Sequence, residues 1–298
     1  MHNPFGEKNT EEHCDADCIE QSLKGNPGAL QTLILRHQSW IFNIALTITG
    51  DIQLAEDVTQ EVLIKVLTKL STYDPQKAAF RTWLYRIVVN HVLNMKENKK
   101  EIFFARMMQN SDDTVFLNNQ PDHQKHVRAD SERLREETKS QCILCVLLCL
   151  NRRERIVFTL AGIFDVTDKT GAEICEMSRA NFRQSYRRSR RKVYQYFAKN
   201  CSLLNDRNPC TCASQTTRLI RAGMIHQDRL ITEQNSLGTI HDLLGGSIGL
   251  VEDSYDEFMS LFREQPFLKG PDMVCWLKEL IKSEPYRHLL ECPQSLIS

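Results

Sequence analysis

The sequence predicts an all-α protein with two helical domains, a flexible linker between them and a mostly helical C-terminal extension. Apolar residues recur at three- and four-residue steps through residues 27–100 and again through 140–199, which is the periodicity of amphipathic helices. The intervening residues 101–139 are polar and lack this periodicity until their end, which predicts the linker. Residues 200–298 hold several short amphipathic stretches and form the extension.

The overall composition is compatible with folded cores and argues against a membrane protein. The 298 residues are 41% hydrophobic, and 38 Lys and Arg balance 38 Asp and Glu. The polar, acidic lead-in at 1–26 has no apolar signal core and is expected to be weakly ordered. No apolar run approaches the roughly 20 residues of a membrane helix. We therefore expect a cytoplasmic protein without membrane insertion, whose eleven cysteines are mostly reduced.

The stretch at 55–90 contains a first helix, a polar break and a second helix. One apolar stripe follows the first helix, made of Leu54, Val58, Val62, Leu63, Val66, Leu67 and Leu70. The other side of this helix carries Asp57, Gln60, Glu61 and Ile64. The first helix is thus predicted to pack one face into a core and to leave a second, partly acidic face.

The break and the second helix carry a different set of polar groups. Pro75 cannot continue a helix and keeps Asp74 extended. Around it lie the loop residues Tyr73, Asp74, Gln76 and Lys77. Phe80 and Leu84 of the second helix are predicted core residues, and Trp83 is either a core residue or a stacking platform. Arg86, Asn90 and Asn94 stand at four-residue spacing and form one polar column.

The second domain contains a predicted helix-turn-helix whose second helix is strongly basic. Thr167 is the predicted N-cap of its first helix, Glu176 and Met177 form the turn, and Ser178 caps the second helix. Residues 151–199 hold twelve Lys and Arg against five Asp and Glu, a local charge of +7. The outer face carries Arg179, Arg183, Gln184, Arg187, Arg188 and Arg191. A local basic surface of this kind is typical of nucleic-acid contact.

Together these two segments resemble regions 2 and 4 of bacterial RNA polymerase sigma factors of the extracytoplasmic-function type. The resemblance rests on AED at 55–57, QE at 60–61, FRTWLYRIVVN at 80–90 and the basic helix-turn-helix. Two positions depart from the family pattern, since Glu176 stands where a turn glycine is usual and Gly171 where a larger apolar residue is usual. The family implies a protein that acts by binding and is not an enzyme.

The resemblance also implies which residues meet which partner. The acidic face of Asp57, Gln60, Glu61 and Ile64 would bind the clamp of the largest polymerase subunit, and region 4 would contact the flap. Melting and reading of the proximal promoter element would fall to Tyr73, Asp74, Gln76, Lys77, Trp83, Arg86, Asn90 and Asn94. The distal element would be read by Ser178, Arg179, Arg183, Gln184, Arg187, Arg188 and Arg191. An anti-sigma factor is a further possible partner, and the extension resembles regulatory ones found in some members.

Three cysteines of the extension raise a separate hypothesis. Cys201, Cys210 and Cys212 could share zinc or another soft metal ion, with His226 or Cys292 as a fourth ligand. Structural cysteines without metal are the other interpretation, because the spacing is not that of a CxxC knuckle. No cofactor is required for the function that the resemblance implies.

Two other function classes compete with the sigma-factor hypothesis. The first is a helix-turn-helix regulator that binds DNA without polymerase, with residues 27–100 as a ligand or dimerisation domain. Such a regulator has no need of the AEDVTQE and FRTWLYRIVVN segments. The second is a metal-dependent enzyme in the extension, but the sequence there shows no partnered Glu and His motif of a zinc hydrolase.

Overall fold

A computed structural model of the chain is mostly helical and contains one small antiparallel sheet. It describes residues 4–5, 10–109, 132–221, 224–226, 230–233, 236–244 and 254–282. Among these residues, no helix combines the length and the apolar character needed to cross a bilayer. The predicted all-α class is confirmed, with the sheet as a local exception.

The first half of the described chain consists of five helices. They are α1 (Thr10–Leu23), α2 (Pro27–Thr49), α3 (Ile52–Lys69), α4 (Phe80–Asn94) and α5 (Lys99–Gln109), with a 3-10 turn at Leu70–Thr72. Local signals set these boundaries. Asn26 caps α2 and Pro27 begins it, Gly50 ends it in the left-handed region at φ 65°, and the Asp51 side chain caps α3.

The second half contains the helix-turn-helix and the extension. Its elements are α6 (Glu132–Leu148), α7 (Arg152–Phe158), a π-helical turn (Thr159–Ile163), α8 (Asp168–Ile174), α9 (Arg179–Asn200), α10 (Cys212–Arg221), β1 (Ser236–Thr239), α11 (Ile240–Leu243), α12 (Ser254–Arg263), β2 (Pro266–Leu268) and α13 (Met273–Lys282). The β1–β2 pair was not predicted, because the apolar periodicity of the extension favoured helices throughout. Ser236 of β1 pairs with Leu268 of β2.

Helix α2 lies at the centre of the molecule. From His37 to Thr49 every one of its residues is buried, as expected for a helix with neighbours on all sides. It contacts α1, α3, α4, α6, α7, β2 and α13. Both predicted domains and the extension therefore contribute to one continuous core.

An interdomain aromatic cluster joins these parts, and its members are Phe5, Trp40, Tyr85, Phe164 and Phe267. The Trp40 ring centroid lies 5.8 Å from that of Phe5, 5.7 Å from that of Phe164 and 4.9 Å from that of Phe267. Phe5 also lies 4.7 Å from Tyr85. Such ring contacts add stabilisation beyond the apolar area that they bury.

The extension is attached to α2 by polar contacts as well. The side-chain amide of Asn43 donates to the main-chain oxygen of Leu268 at 2.7 Å and accepts from its main-chain nitrogen at 2.9 Å. Ser39 donates to the oxygen of Lys269 at 2.5 Å. Asn43 thus satisfies both main-chain polar groups of one β2 residue, as a neighbouring strand would.

Two segments that were expected to be weakly ordered begin or run as helix. The lead-in at 1–26 contains α1, whose Asp15 and Ile19 are buried. The predicted linker at 101–139 starts within α5, which was not expected, and ends within α6, which agrees with the helix that the return of apolar periodicity predicts near Asp130; its residues 110–131 lie outside the described part of the chain. These helices are held by partners far away in sequence, which local composition does not reveal.

A buried ion cluster explains why the start of the predicted linker is ordered. Glu101 of α5 accepts from Arg152 at 2.8 and 2.7 Å and from Arg155 at 2.8 Å. Arg155 further donates to the main-chain oxygens of Leu147 and Leu150. Since the carboxylate is paired and hydrogen-bonded on both oxygens, the charges tolerate burial.

Candidate nucleic-acid and polymerase interface

The loop before α4 is shaped by its own side chains. Asp74 accepts a hydrogen bond from the main-chain nitrogen of Gln76 at 3.0 Å, and Lys77 lies 3.3 Å from its other oxygen. The Gln76 hydrogen bond and the Lys77 contact hold the pKa of Asp74 below its ordinary value. Tyr73 donates to the oxygen of Ala78 at 3.2 Å. The loop is therefore a formed turn whose Gln76 and Lys77 side chains face solvent.

Trp83 lies beside this loop in a cluster of three rings. Its centroid is 5.5 Å from that of Tyr73 and 5.6 Å from that of Phe80. Phe80 is buried, as predicted, whereas Trp83 and Tyr73 are half-buried. The rings support one another from one side and leave part of the Trp83 surface accessible, so Trp83 combines packing with a surface on which a base can stack.

The three residues of the predicted polar column on α4 do not share one environment. Asn90 and Asn94 are exposed, and the Asn94 amide donates to the main-chain oxygen of Asn90 at 2.8 Å. Arg86 instead points to the helix-turn-helix. It donates to the main-chain oxygen of Glu173 at 3.3 and 3.0 Å and lies 3.5 Å from the carboxylate of Glu176. No local pattern around Arg86 indicates this long-range contact.

The helix-turn-helix forms at the predicted positions. Thr167 accepts from the main-chain nitrogen of Thr170 at 3.3 Å, and Ser178 accepts from that of Asn181 at 3.2 Å, so both N-caps are confirmed. Glu176 occupies the turn with a φ of 52°, the left-handed conformation that a glycine adopts at less cost. A glycine at position 176 would therefore relieve backbone strain in this turn.

Gly171 is explained by the ring that packs against it. A Cβ atom built at Gly171 would lie 2.2 Å from Cζ of Phe182, which is fully buried. The ring of Phe182 therefore occupies the space that a side chain at position 171 would need. The two helices approach each other closely because one of them has no side chain at the contact.

The outer face of α9 is basic and exposed, as predicted. Its exposed residues are Arg179, Arg183, Gln184, Arg187, Arg188 and Arg191. Phe182, Val193 and Phe197 are buried on the opposite side. Three of the cations have carboxylate partners, because Arg179 and Arg183 contact Asp168 and Lys192 contacts Glu154.

The face of α3 opposite its core stripe is also accessible. Asp57 and Glu61 are exposed, Gln60 and Ile64 are half-buried, and all four follow one side of the helix. Glu61 lies 3.8 Å from His91 of α4, and Lys65 contacts the other ring nitrogen of His91 at 2.5 Å. The predicted polymerase-binding residues thus form one surface.

Comparison with known proteins identifies the first part of this arrangement. The family described as sigma-70 region 2 matches residues 33–101, which include α3, the loop and α4. The chain contains a sigma-70 region 2 domain. The name region 2 is used below for residues 33–101.

Several named sigma factors are similar to the chain over part of its length. Sigma-H of Pseudomonas aeruginosa is 35% identical over 80 residues, which cover 27% of this chain and 41% of that protein. SigW of Bacillus subtilis is 28% identical over 86 residues, covering 29% and 46%. SigE of Mycolicibacterium smegmatis is 24% identical over 162 residues, covering 49% and 62%. The chain thus spans about half the length of these relatives. SigW and SigE are named as extracytoplasmic-function sigma factors.

Solved structures are also similar to the chain. One of them is the structure of CnrH in complex with the cytosolic domain of CnrY, with 19% identity and a TM-score of 0.44. The similarity covers 62% of this chain and 97% of that chain.

A cleft separates region 2 from the helix-turn-helix and has a volume of about 590 Å³. Its lining carries both signs of charge, with Arg86, Lys169 and Arg179 against Glu173 and Glu176. Arg86 bridges the cleft from α4. The cleft therefore lies between the two surfaces that were predicted to contact DNA.

The cysteines predicted to hold a metal lie at the junction of α9 and α10, beyond region 2. Cys201 and Cys210 are neighbours in a short backbone pairing, and Gln215 donates to the Cys210 sulfur at 3.1 Å. Burial raises the pKa of Cys201 to about 11 and also raises the pKa of Cys210 and Cys212.

No group of three His, Cys, Asp or Glu side chains in the described ranges is arranged to hold a metal ion. The metal hypothesis named His226 or Cys292 as the fourth ligand. His226 is exposed, and Cys292 lies outside the described residues. The arrangement shows thiols near one another without a formed metal site. The metal hypothesis is therefore a prediction for experiment.

Proposed function

We propose that this protein is an RNA polymerase sigma factor of the extracytoplasmic-function type. In this role it directs core polymerase to specific promoters and helps to open the duplex. The observation that carries the proposal is the region 2 match at residues 33–101, and the accessible acidic face of α3 and the formed loop before α4 support it. The exposed basic face of α9 supports a second DNA contact.

The proposed partners follow from these surfaces. Asp57, Gln60, Glu61 and Ile64 bind the clamp of core polymerase, and charge complementarity orients the encounter. The loop of Tyr73, Asp74, Gln76 and Lys77, together with Trp83, holds bases that have left the stack, while Asn90 and Asn94 contact the proximal element. Such a protein contributes no catalytic step of its own, and we place it in the cytoplasm, where promoters and polymerase are.

We further propose that the extension regulates this activity from within the chain. It packs Phe267 into the interdomain aromatic cluster, bonds Asn43 of α2 through Leu268, and bonds the π-helical turn through Arg263, which donates to the oxygen of Gly162 at 3.0 Å. These contacts favour the arrangement in which Arg86 is covered by the helix-turn-helix. A separate anti-sigma factor stays a prediction.

A reconstituted transcription assay tests the proposed function. Core polymerase from the source bacterium is combined with the full chain and with a supercoiled library of that bacterium's promoter regions. We expect defined transcripts that depend on both components. If the protein instead binds specific duplexes equally well without core polymerase and supports no transcript, the alternative of a stand-alone helix-turn-helix regulator replaces the proposal.

A further inference from the structure

Asp168, the first residue of α8, spans the helix-turn-helix to contact two arginines of α9. Its Oδ1 atom accepts from Nη2 of Arg179 at 2.8 Å, and its Oδ2 atom accepts from Nε of Arg183. We propose that Asp168 is a positioning residue that holds Arg179 and Arg183 in the orientation in which they read base edges. The inference rests on the proposed function, because it assumes that α9 enters the major groove.

The position of the two arginines on α9 is what makes their orientation matter. Arg179 is the first residue of the helix and Arg183 lies one turn later, so both project from its N-terminal end. In helix-turn-helix proteins this end of the second helix contacts base edges, whereas later residues contact phosphates. Asp168 therefore pairs with two cations placed for sequence reading.

The arginine atoms that contact Asp168 favour Arg183 as the main residue that recognises a base edge. Bidentate recognition of guanine needs two parallel donors aimed at O6 and N7. Because Asp168 engages Nε of Arg183, the guanidinium is held at its inner edge, and both terminal nitrogens are left for a base edge. Arg179 is held through Nη2, one of its terminal nitrogens, so less of its outer edge is available.

The contact contributes to recognition more than to folding. The Arg179 and Arg183 side chains are 56% and 62% exposed, and that of Asp168 is 28% exposed. Ion pairs this exposed add little to the free energy of unfolding. An arginine side chain that is already held in its binding orientation, however, loses less conformational freedom when DNA binds. Asp168 also offsets the repulsion between two like charges one helical turn apart.

The negative charge of Asp168 allows its positioning role to be distinguished from simple electrostatic repulsion of DNA. A carboxylate near DNA repels phosphates, so its removal should strengthen binding to every sequence. If Asp168 orients the arginines, its removal should at the same time weaken discrimination among sequences. The two effects have opposite consequences for specific and non-specific DNA, and they can be measured together.

The matched control is Glu154 of α7, which pairs with Lys192 of the same helix at 2.7 Å. Lys192 lies three turns beyond Arg179 and is a phosphate contact rather than a base reader in the proposed docking. Replacing Glu154 by Ala removes one carboxylate from the same basic face. It should strengthen binding to all sequences alike and leave discrimination unchanged.

The test uses the full chain with core polymerase and a duplex DNA library with a randomised block, sequenced before and after binding. For Asp168→Ala we expect the guanine preference at the selected positions to fall about ten-fold, the scale of one bidentate contact, while affinity for unselected duplexes rises. Asp168→Glu should restore part of the preference. Melting temperatures should stay close to the wild-type value for all three variants.

The other possible results of this experiment decide against either the inference or the proposed function. If Asp168→Ala binds every sequence more tightly and keeps the wild-type guanine preference, Asp168 only screens charge and the inference is wrong. If the Asp168→Ala variant does not fold, Asp168→Asn, which keeps one acceptor oxygen, should show a partial loss of preference, and a full preference would overturn the inference. If the wild-type chain with core polymerase selects no sequence, the proposed function itself fails, and the inference fails with it.

Discussion

Arg86 of α4 donates two hydrogen bonds to the main-chain oxygen of Glu173, one residue before the end of α8. The contact links the region 2 helix that was predicted to read the proximal element to the helix that precedes the turn in the second DNA-binding unit. The Arg86 side chain is 33% exposed, but the donors that it gives to Glu173 are not available to DNA while these hydrogen bonds are made. The described arrangement is therefore a closed one, in which part of the proposed promoter surface is engaged by α8.

Loosening the extension should unmask that surface. Arg263 of α12 donates to the oxygen of Gly162 and lies 3.2 Å from Asp165, so Arg263→Ala removes a link between the extension and the helix-turn-helix. We expect several-fold tighter binding of the free protein to its promoter DNA, measured by fluorescence anisotropy. Arg207→Ala removes an exposed arginine from the loop before α10 and serves as the charge-matched control. Equal affinities for the two variants would contradict a regulatory role for the extension.

Charge reversal on α3 should weaken polymerase binding. Replacing Asp57 and Glu61 by Lys places two cations on the face that is proposed to meet the clamp, and unfavourable charge pairs at an interface slow association. We expect core affinity to fall by about ten-fold or more at low salt, with unchanged helical circular dichroism. Glu97→Lys combined with Asp206→Lys, at two exposed sites outside this face, controls for net charge. Equal co-purification of the two variants with core would refute the assignment.

The close approach at Gly171 predicts a stability effect. Gly171→Ala forces the ring of Phe182 to move, since the new methyl group would lie 2.2 Å from its Cζ atom. Overpacking of this kind costs about 1–3 kcal/mol of unfolding free energy, which urea titration measures. Phe182→Leu in the same chain should recover part of the loss. Additive effects of the two substitutions would show that this contact is not responsible.

Acidification should destabilise the protein through a buried cluster in α1, α2 and α4. Burial raises the pKa of Asp15, but hydrogen bonds from His37, Arg36 and Arg81 and the charges of the two arginines outweigh it and hold that pKa well below its ordinary value. Burial lowers the pKa of His37 despite the nearby Asp15 carboxylate at 3.4 Å. Folding therefore favours an ionised Asp15 and a neutral His37.

The pH window follows from the sign of these shifts. The unfolded chain takes up a proton on His37 near pH 6.5 and on Asp15 near pH 4, about their ordinary pKa values, before the folded chain does. Unfolding free energy should thus fall on acidification, by up to about 1.4 kcal/mol per pH unit for each such proton. His91, whose pKa is lowered by burial, adds to the slope between pH 7 and 5. His37→Gln should flatten this part of the profile, and an unchanged slope would exclude His37 as its source.

The metal hypothesis predicts the content of the purified protein. If Cys201, Cys210 and Cys212 bind zinc, emission spectroscopy should find near-stoichiometric metal, and Cys210→Ser with Cys212→Ser should lose it. Burial raises the pKa values of these thiols, so binding would release protons and weaken at low pH. Cys275→Ser, an exposed cysteine of α13, is the control. Metal-free protein with unaltered transcription in the double variant would assign the cysteines a structural role.

Local features of this fold were predictable from the sequence, whereas contacts between distant segments were not. The caps at Thr167 and Ser178 depend on neighbouring residues, and the structure confirms both. The order of α1 depends on Asp15, whose partner Arg81 is 66 residues away. Periodicity records which face of a helix is apolar, but it does not identify the element that covers that face.

At the candidate site, too, the sequence predicted which residues are exposed on a helix but not which distant elements contact them. Exposure of Asp57, Glu61 and the arginines of α9 followed from their helical faces. The masking of Arg86 did not, because it depends on how α8 lies against α4. The place of β2 beside Asn43 was equally unpredictable, since its hydrogen bonds join residues 225 positions apart.

The 225-residue separation between Asn43 and Leu268 has a consequence for the synthesis of the chain on the ribosome. The surface of α2 around Asn43 and Trp40 is completed by β2, which the ribosome makes 225 residues later. At about 5–20 residues per second, the nascent chain spends roughly 10–45 seconds with this apolar surface uncovered. During that interval the chain is exposed to chaperones and to aggregation, and α8 is complete before the extension is. Each newly made molecule thus passes through a form in which region 2 and the helix-turn-helix are present but β2 does not yet cover α2.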